Sequence, residues 1–270
     1  MEHRARVFCR SLGAIAATVT FLTSCAQLTE STPSSSRFAA VNIVAKATGS
    51  GRAMANATVI FFDAISAAVP NSALQQTDQC TFANVDTTTV VTRGVKKAGT
   101  SVGLLVGTTA LTLPYDAGLF RYANPVNTPF SYATGDVAQA TLPDGGEVFP
   151  ASAISVRLAE PLLPGPLVLP VSGQALVVTW NAVSDTSSAI ILQLKYANPT
   201  TSTYANEQVI CSLKDDGRYD VPAGGLTAFL ASPANRRSLQ LTRWRTKESS
   251  IDSKTLLHIA TSVDTVIVFP

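Results

Sequence analysis

The side chains able to do chemistry are few and poorly assembled. Beyond its first ten residues the chain holds one histidine, His258, so a multi-histidine metal site has no ligand set. No cysteine pair has metal-ligand spacing, and the metallopeptidase, serine-hydrolase elbow, phosphate-loop and calcium-loop patterns are absent. A Ser-His-Asp arrangement would have to use His258, whose Thr- and Leu-rich surroundings read as a strand and predict a hydrogen-bonded structural role. Two carboxylates suffice for glycoside hydrolysis, and Asp215, Asp216 and Asp220 lie close together. They flank Gly217, where aspartate is favoured for turn formation, so the turn reading prevails. The sequence therefore predicts no catalytic residue, no metal and no cofactor.

Trp180 and Trp244 raise a different chemistry, because flat aromatic faces stack on sugar rings. Trp180 shares a strand face with Leu176 and Val178 and is expected in the core. Trp244 sits between Arg243 and Arg245, with Arg236, Arg237 and Lys247 nearby. Arg243, Trp244 and Arg245 thus form a candidate ligand-binding strip for an anionic glycan. Strict alternation favours the opposite arrangement, with the tryptophan facing inward and the arginines in solvent.

The elements that must position these residues are short strands. Apolar residues make up 46% and charged residues 14% of the 270, with Gly, Pro, Ser and Thr spread throughout. Strand signals cover residues 41–46, 57–62, 85–92, 101–113, 137–142 and 153–158, and no segment combines sustained helical periodicity with caps. Gly99, Gly103 and Gly107 match a helix-packing spacing, but their uncharged run is too short to span a bilayer and is rich in β-formers, so strands are expected there. Residues 159–170 carry four prolines, which bar a central strand and mark the best boundary. Beyond it, strands are expected at 175–182, 190–196, 208–213, 218–221, 239–245 and 263–269. The fold class is all-β, as two β-sandwich domains, residues 38–160 and 161–270. A strand bearing Trp180, a loop and a strand ending at Tyr196 resemble the second and third strands of fibronectin type III-like domains. That resemblance implies an immunoglobulin/fibronectin-like sandwich over the second half.

The N-terminus reads as an address. Arg4, Arg6 and Arg10 precede the uncharged run Leu12–Thr23, which has the length of a signal-peptide core. It closes on Leu22-Thr23-Ser24-Cys25, which resembles the bacterial lipobox. The resemblance implies cleavage after Ser24, a signal peptide over residues 1–24, and acylation of Cys25 as the mature N-terminus. Ala26 in place of an aspartate points to the outer membrane. Residues 26–37 are Ser/Thr-rich and read as a flexible tether, so 25–37 form the lipidated start and tether. Removing residues 1–24 takes away Arg4, Arg6 and Arg10 against Glu2, so 20 basic and 18 acidic residues become 17 and 17. That balance gives no electrostatic reason to bind nucleic acid.

Lipidation of Cys25 leaves Cys80 and Cys211 as the mature chain's thiols. Export would let them form a disulfide, while Cys211 in Val209-Ile210-Cys211 equally suits a small buried hydrophobe. The expected function is that of a non-enzymatic, membrane-anchored binding or structural module of the cell envelope, with an envelope protein or glycan as partner. The rival reading is a carboxylate-dependent hydrolase of envelope or extracellular polysaccharide.

Overall fold

The computed structural model describes residues 37–49, 51–62, 78–84, 94–125, 128–146, 148–183, 187–198 and 205–269. Cys25, its lipobox, the tether up to residue 36 and the expected strand at 85–92 lie outside the described residues.

The described chain is mostly β. Ten strands precede the proline-rich segment: β1 (Arg37–Ala47), β2 (Arg52–Phe62), β3 (Gln79–Asn84), β4 (Val95–Lys96), β5 (Ser101–Val106), β6 (Thr109–Asp116), β7 (Arg121–Ala123), β8 (Phe130–Ala133), β9 (Val137–Leu142) and β10 (Ser152–Arg157). Six follow it: β11 (Leu176–Thr179), β12 (Ala189–Tyr196), β13 (Glu207–Lys214), β14 (Arg218–Val221), β15 (Arg237–Asp252) and β16 (Thr255–Val268). One short helix, Thr227–Ala231, buries Phe229 against Tyr196 and Phe269 at ring-centroid distances of 6.0 and 5.5 Å.

Alternation explains the strands. In β9, Ala138, Ala140 and Leu142 are buried while their neighbours face solvent; in β5, Val102, Leu104 and Val106 are buried and the residues between them are not. The glycine spacing noted above is a strand–turn pattern: Gly103 pairs with Thr141, and Gly99 and Gly107 adopt positive φ at 74° and 55° on either side of β5.

The ladders do not respect the proline boundary. β1 runs parallel to β16 with Arg37 opposite Thr255 and Ala45 opposite Val263, and β3 runs antiparallel to β13 with Cys80 opposite Cys211. The expected separation into residues 38–160 and 161–270 is corrected accordingly: strands from both sides share one hydrogen-bonded sheet. The prolines terminate strands locally, but residues far along the chain still pair across the segment.

A fragment of residues 161–270 made alone would lose both covering strands. It would bare the β16 edge over nine registered positions and the β13 edge over six. Open edges of that length self-associate. We expect the fragment to unfold without a sharp transition or to form oligomers, read by thermal circular dichroism and light scattering. A monomer with a sharp transition would show that the shared ladders are dispensable.

Candidate functional site

The most connected polar cluster forms around Asp215, in the turn between β13 and β14, and Arg243 on β15. Both side chains are almost wholly buried, at 2% and 0% exposure. Arg243 Nε donates to Asp215 Oδ2 at 2.7 Å and Nη2 to Oδ1 at 2.9 Å, a two-point fork matched to a carboxylate. Nη1 donates to the carbonyls of Glu160 and Pro161 at 3.2 and 2.9 Å, and Nη2 also donates to the carbonyl of Asn181. These bonds occupy the guanidinium's five N–H groups. Asp215 receives two further bonds, from Trp180 Nε1 at 2.9 Å and Ser188 Oγ at 2.7 Å. Each carboxylate oxygen thus accepts twice.

The same cluster ties down the proline-rich segment. Tyr132 Oη donates to the Ala159 carbonyl at 2.7 Å, Ala159 N donates to Thr261 Oγ1 at 3.0 Å, and Asn181 Nδ2 donates to the Pro161 carbonyl at 3.0 Å. Burial holds the Tyr132 hydroxyl well above the ordinary tyrosine range, against a smaller opposing pull from Arg243 and Arg245. The segment read as a domain boundary is in fact held by side chains from both halves.

This geometry separates the three carboxylates. Asp215 points inward and is saturated. Asp216 Oδ1 accepts from Arg218 N at 3.3 Å, and Asp220 is paired with Arg218 at 3.0 Å on the surface. The hydrogen bonds from Arg218 hold the Asp220 carboxyl below its usual range. His258 is placed on β16 with Nδ1 3.2 Å from Glu248 Oε1 and its ring 6.3 Å from that of Phe38. Among the described residues, no group of three or more His, Cys, Asp or Glu is placed to hold a metal ion.

The Arg243–Trp244–Arg245 strip is not a strip. Arg243 and Arg245 are buried, the latter 2% exposed with Nη2 3.7 Å from Glu160 Oε1, while Trp244 lies on the opposite sheet face and is half-buried. Both expectations for these residues are corrected, since alternation holds but its phase is reversed. Asp215 and the carbonyls of residues 160, 161 and 181 compensate the inward arginine, and hydrophobicity alone gives no sign of that. Trp244 pairs with Ser262 and Ala189, and its indole nitrogen is buried without a hydrogen-bond partner among the described residues. On the same face Asp264 lies beside Thr242 and Lys46, and burial raises its carboxyl above the usual range despite both.

A cavity of about 320 Å³ lies where β3 and β14 approach, lined by Asp78, Gln79, Cys80, Val209, Tyr219, Val221, Pro222 and Gly225. Cys80 and Cys211 form a disulfide at its wall. Tyr219 Oη donates to the Asp78 carbonyl at 3.1 Å and lies 3.5 Å from Cys80 Sγ. Asp78 adopts a positive φ of 52°, with Oδ1 accepting from Lys214 N at 2.9 Å and Oδ2 3.0 Å from Lys214 Nζ. The backbone hydrogen bond from Lys214 lowers the Asp78 carboxyl pKa most, with the lysine charge adding to it. The cavity is a small, mainly apolar slot beside a disulfide.

No protein-family model and no curated protein matches this chain.

Sequence reasoning did not anticipate the Asp215–Arg243 pair or the Asp78–Tyr219 contact. The first left no signal in the pattern, because strict alternation around Thr242 and Trp244 pointed Arg243 to solvent, whereas the structure buries it. The second had none, because residues 141 positions apart meet only through the β3–β13 ladder.

Proposed function

We propose that this chain is an exported, lipid-anchored β-protein of the bacterial envelope, acting as a non-enzymatic binding or structural module. The observation that carries the non-enzymatic reading is the saturation of Asp215 and Arg243. The most buried carboxylate and guanidinium are consumed by internal hydrogen bonds, which leaves them no free valence for substrate. The Cys80–Cys211 disulfide supports export, because such bonds persist in oxidising compartments. Leu22-Thr23-Ser24-Cys25 supports acylation at Cys25, and Ala26 supports delivery to the outer membrane.

Within that reading, residues 161–270 form a fibronectin type III-like sandwich whose last strand is extended by β1. The pairing order supports this: Pro164 bridges Trp180, β11 pairs with β14, and β13, β12, β15 and β16 are consecutive in the other sheet. In such domains the first, second and fifth strands share one sheet and the rest share the other. The first half contributes β1 and β3 to the two edges of that second sheet.

The test of the anchor is direct. Cys25→Ala is expected to abolish acyl labelling and to leave an unlipidated precursor that keeps residues 1–24. Intact mass of the parent should show an N-terminus at Cys25 carrying acyl mass. A mature N-terminus elsewhere, without that mass, would overturn the lipoprotein reading.

A further inference from the structure

The turn between β6 and β7 places two large apolar side chains in solvent. Leu119 and Phe120 are each 53% exposed, side by side at the tip. The tip is built, not slack: Asp116 Oδ1 accepts from Gly118 N at 2.8 Å and from Leu119 N at 3.2 Å. Phe120 adopts a φ of 52°, a left-handed conformation that bulky residues rarely take. The backbone therefore bears a cost at a position whose side chain is half in water.

The ladders fix which end of the fold carries this tip. β7 is antiparallel to β2, with Tyr122 beside Val59 and Ala123 beside Thr58, so the chain preceding Tyr122 lies toward the Phe62 end of β2. β1 begins at that end, with Phe38 opposite Phe62. β4 lies there too, with Val95 opposite Phe62, and the β15–β16 hairpin turns there, with Thr255 opposite Arg37. One end of the fold thus carries the apolar tip, the exposed cations Lys96, Lys97 and Lys254, and the point where the chain enters from residue 36. Among the described acidic groups at this end, Asp116 caps the tip, Asp252 pairs with Arg37 at 3.0 Å and accepts from Lys254 N at 2.7 Å, and Glu248 meets His258.

We propose that this end is a second membrane contact, in which Leu119 and Phe120 enter an anionic bilayer surface while the neighbouring lysines meet lipid phosphates. The choice of a bilayer rests on the acylated Cys25 reading and on charge. Twelve residue steps lead from Cys25 to Arg37, a reach of about 40 Å at full extension, so the tether is long enough for this end to touch the lipid. An apolar tip collared by cations fits an interfacial contact with anionic headgroups. Two anchoring points would orient the fold, with the Cys80–Cys211 cavity and the Trp244 face held in a fixed attitude to the membrane.

The test uses the chain from residue 25 onward carrying Cys25→Ser, so that no acyl group contributes. Its partitioning is measured on vesicles of phosphatidylglycerol mixed with phosphatidylcholine. Binding is expected, weaker at high salt, and Leu119→Ser with Phe120→Ser should reduce it about ten- to hundredfold, in line with the transfer of two partly buried apolar side chains. Phe120→Gly should raise the thermal midpoint by relieving the backbone while lowering partitioning. A purely structural role predicts a lower midpoint instead. Equal binding by parent and double variant, or no binding by the parent, overturns the proposal. Because this chain lacks the lipid, the result is independent of the mass measurement at Cys25. An unacylated Cys25 with intact vesicle binding would remove the anchor and leave the tip.

Discussion

Replacing Asp215 with alanine should cost about 3–5 kcal/mol of folding stability, the range for removing one partner of a buried ion pair. The loss comes mainly from what remains. Arg243 is 0% exposed, and without Asp215 its charge would be held only by the carbonyls of Glu160, Pro161 and Asn181. Trp180 Nε1 and Ser188 Oγ would lose their acceptor as well. For a chain of this size such a loss lowers the thermal midpoint by roughly 10 °C or more. A second variant separates pairing from packing. Asp215→Ala combined with Arg243→Met removes the charge together with its partner, and buried pairs replaced by apolar groups often recover stability. The double variant should therefore melt above the single one, although three carbonyls lose their donor. Thermal unfolding of both proteins decides the matter. A single variant within about 1 kcal/mol of the parent would deny the pair its structural role.

The sequence exposes some of this arrangement and hides the rest for physical reasons. Alternation in 137–142, 190–196 and 208–213 reports one buried face, and those strands stand where expected as β9, β12 and β13. The long hairpin of β15 and β16 is only half visible. Lys247, Glu248, Ser249 and Ser250 lie beyond the strand expected at 239–245, yet each pairs with an apolar residue or histidine of β16 because the sheet there faces solvent on one side. The parallel β1–β16 ladder leaves no local trace, since its partners lie more than two hundred residues apart. The prolines at 161–166 gave a true local signal, the end of a strand, and a false global one. Proline removes a donor at its own position but does not stop β1 and β3 from pairing beyond it. The phase of Arg243 and Arg245 was hidden for a related reason. Burying a guanidinium is costly unless carboxylates and carbonyls meet it, and those groups come from residues 160, 161, 181 and 215, brought together only by the fold. Cys80 and Cys211 were legible as a pair of candidates. Their meeting depends on the β3–β13 register, which composition does not encode.

That register makes the disulfide the second large lever on stability. The bond closes a separation of 131 residues, and in the chain-entropy account a loop of that length contributes about 2–5 kcal/mol by restricting the unfolded state. The native strand depends on it too. β3 is the last strand on its side of the sheet, it pairs only with β13 among the described strands, and its ladder covers six positions. Once reduced, β3 is held by that ladder, the Asp78–Lys214 bonds and the contact from Tyr219 to the Asp78 carbonyl. Chemical reduction is the cleaner experiment than substitution, because Cys211 is wholly buried and Cys211→Ala would add a packing loss to the lost bond. We expect the reduced protein to melt about 5–15 °C below the oxidised one, with β3 the first segment to lose amide protection. Hydrogen exchange should show residues 79–84 opening while β15 and β16 remain closed. Thiol counting supplies the independent measurement: the exported, unreduced protein should offer neither Cys80 nor Cys211 to an alkylating agent, and both after reduction and unfolding. If both sulfurs react in the unreduced protein, or if reduction leaves the midpoint unchanged, β3 is held by its ladder alone and the disulfide is not what closes this edge of the sheet.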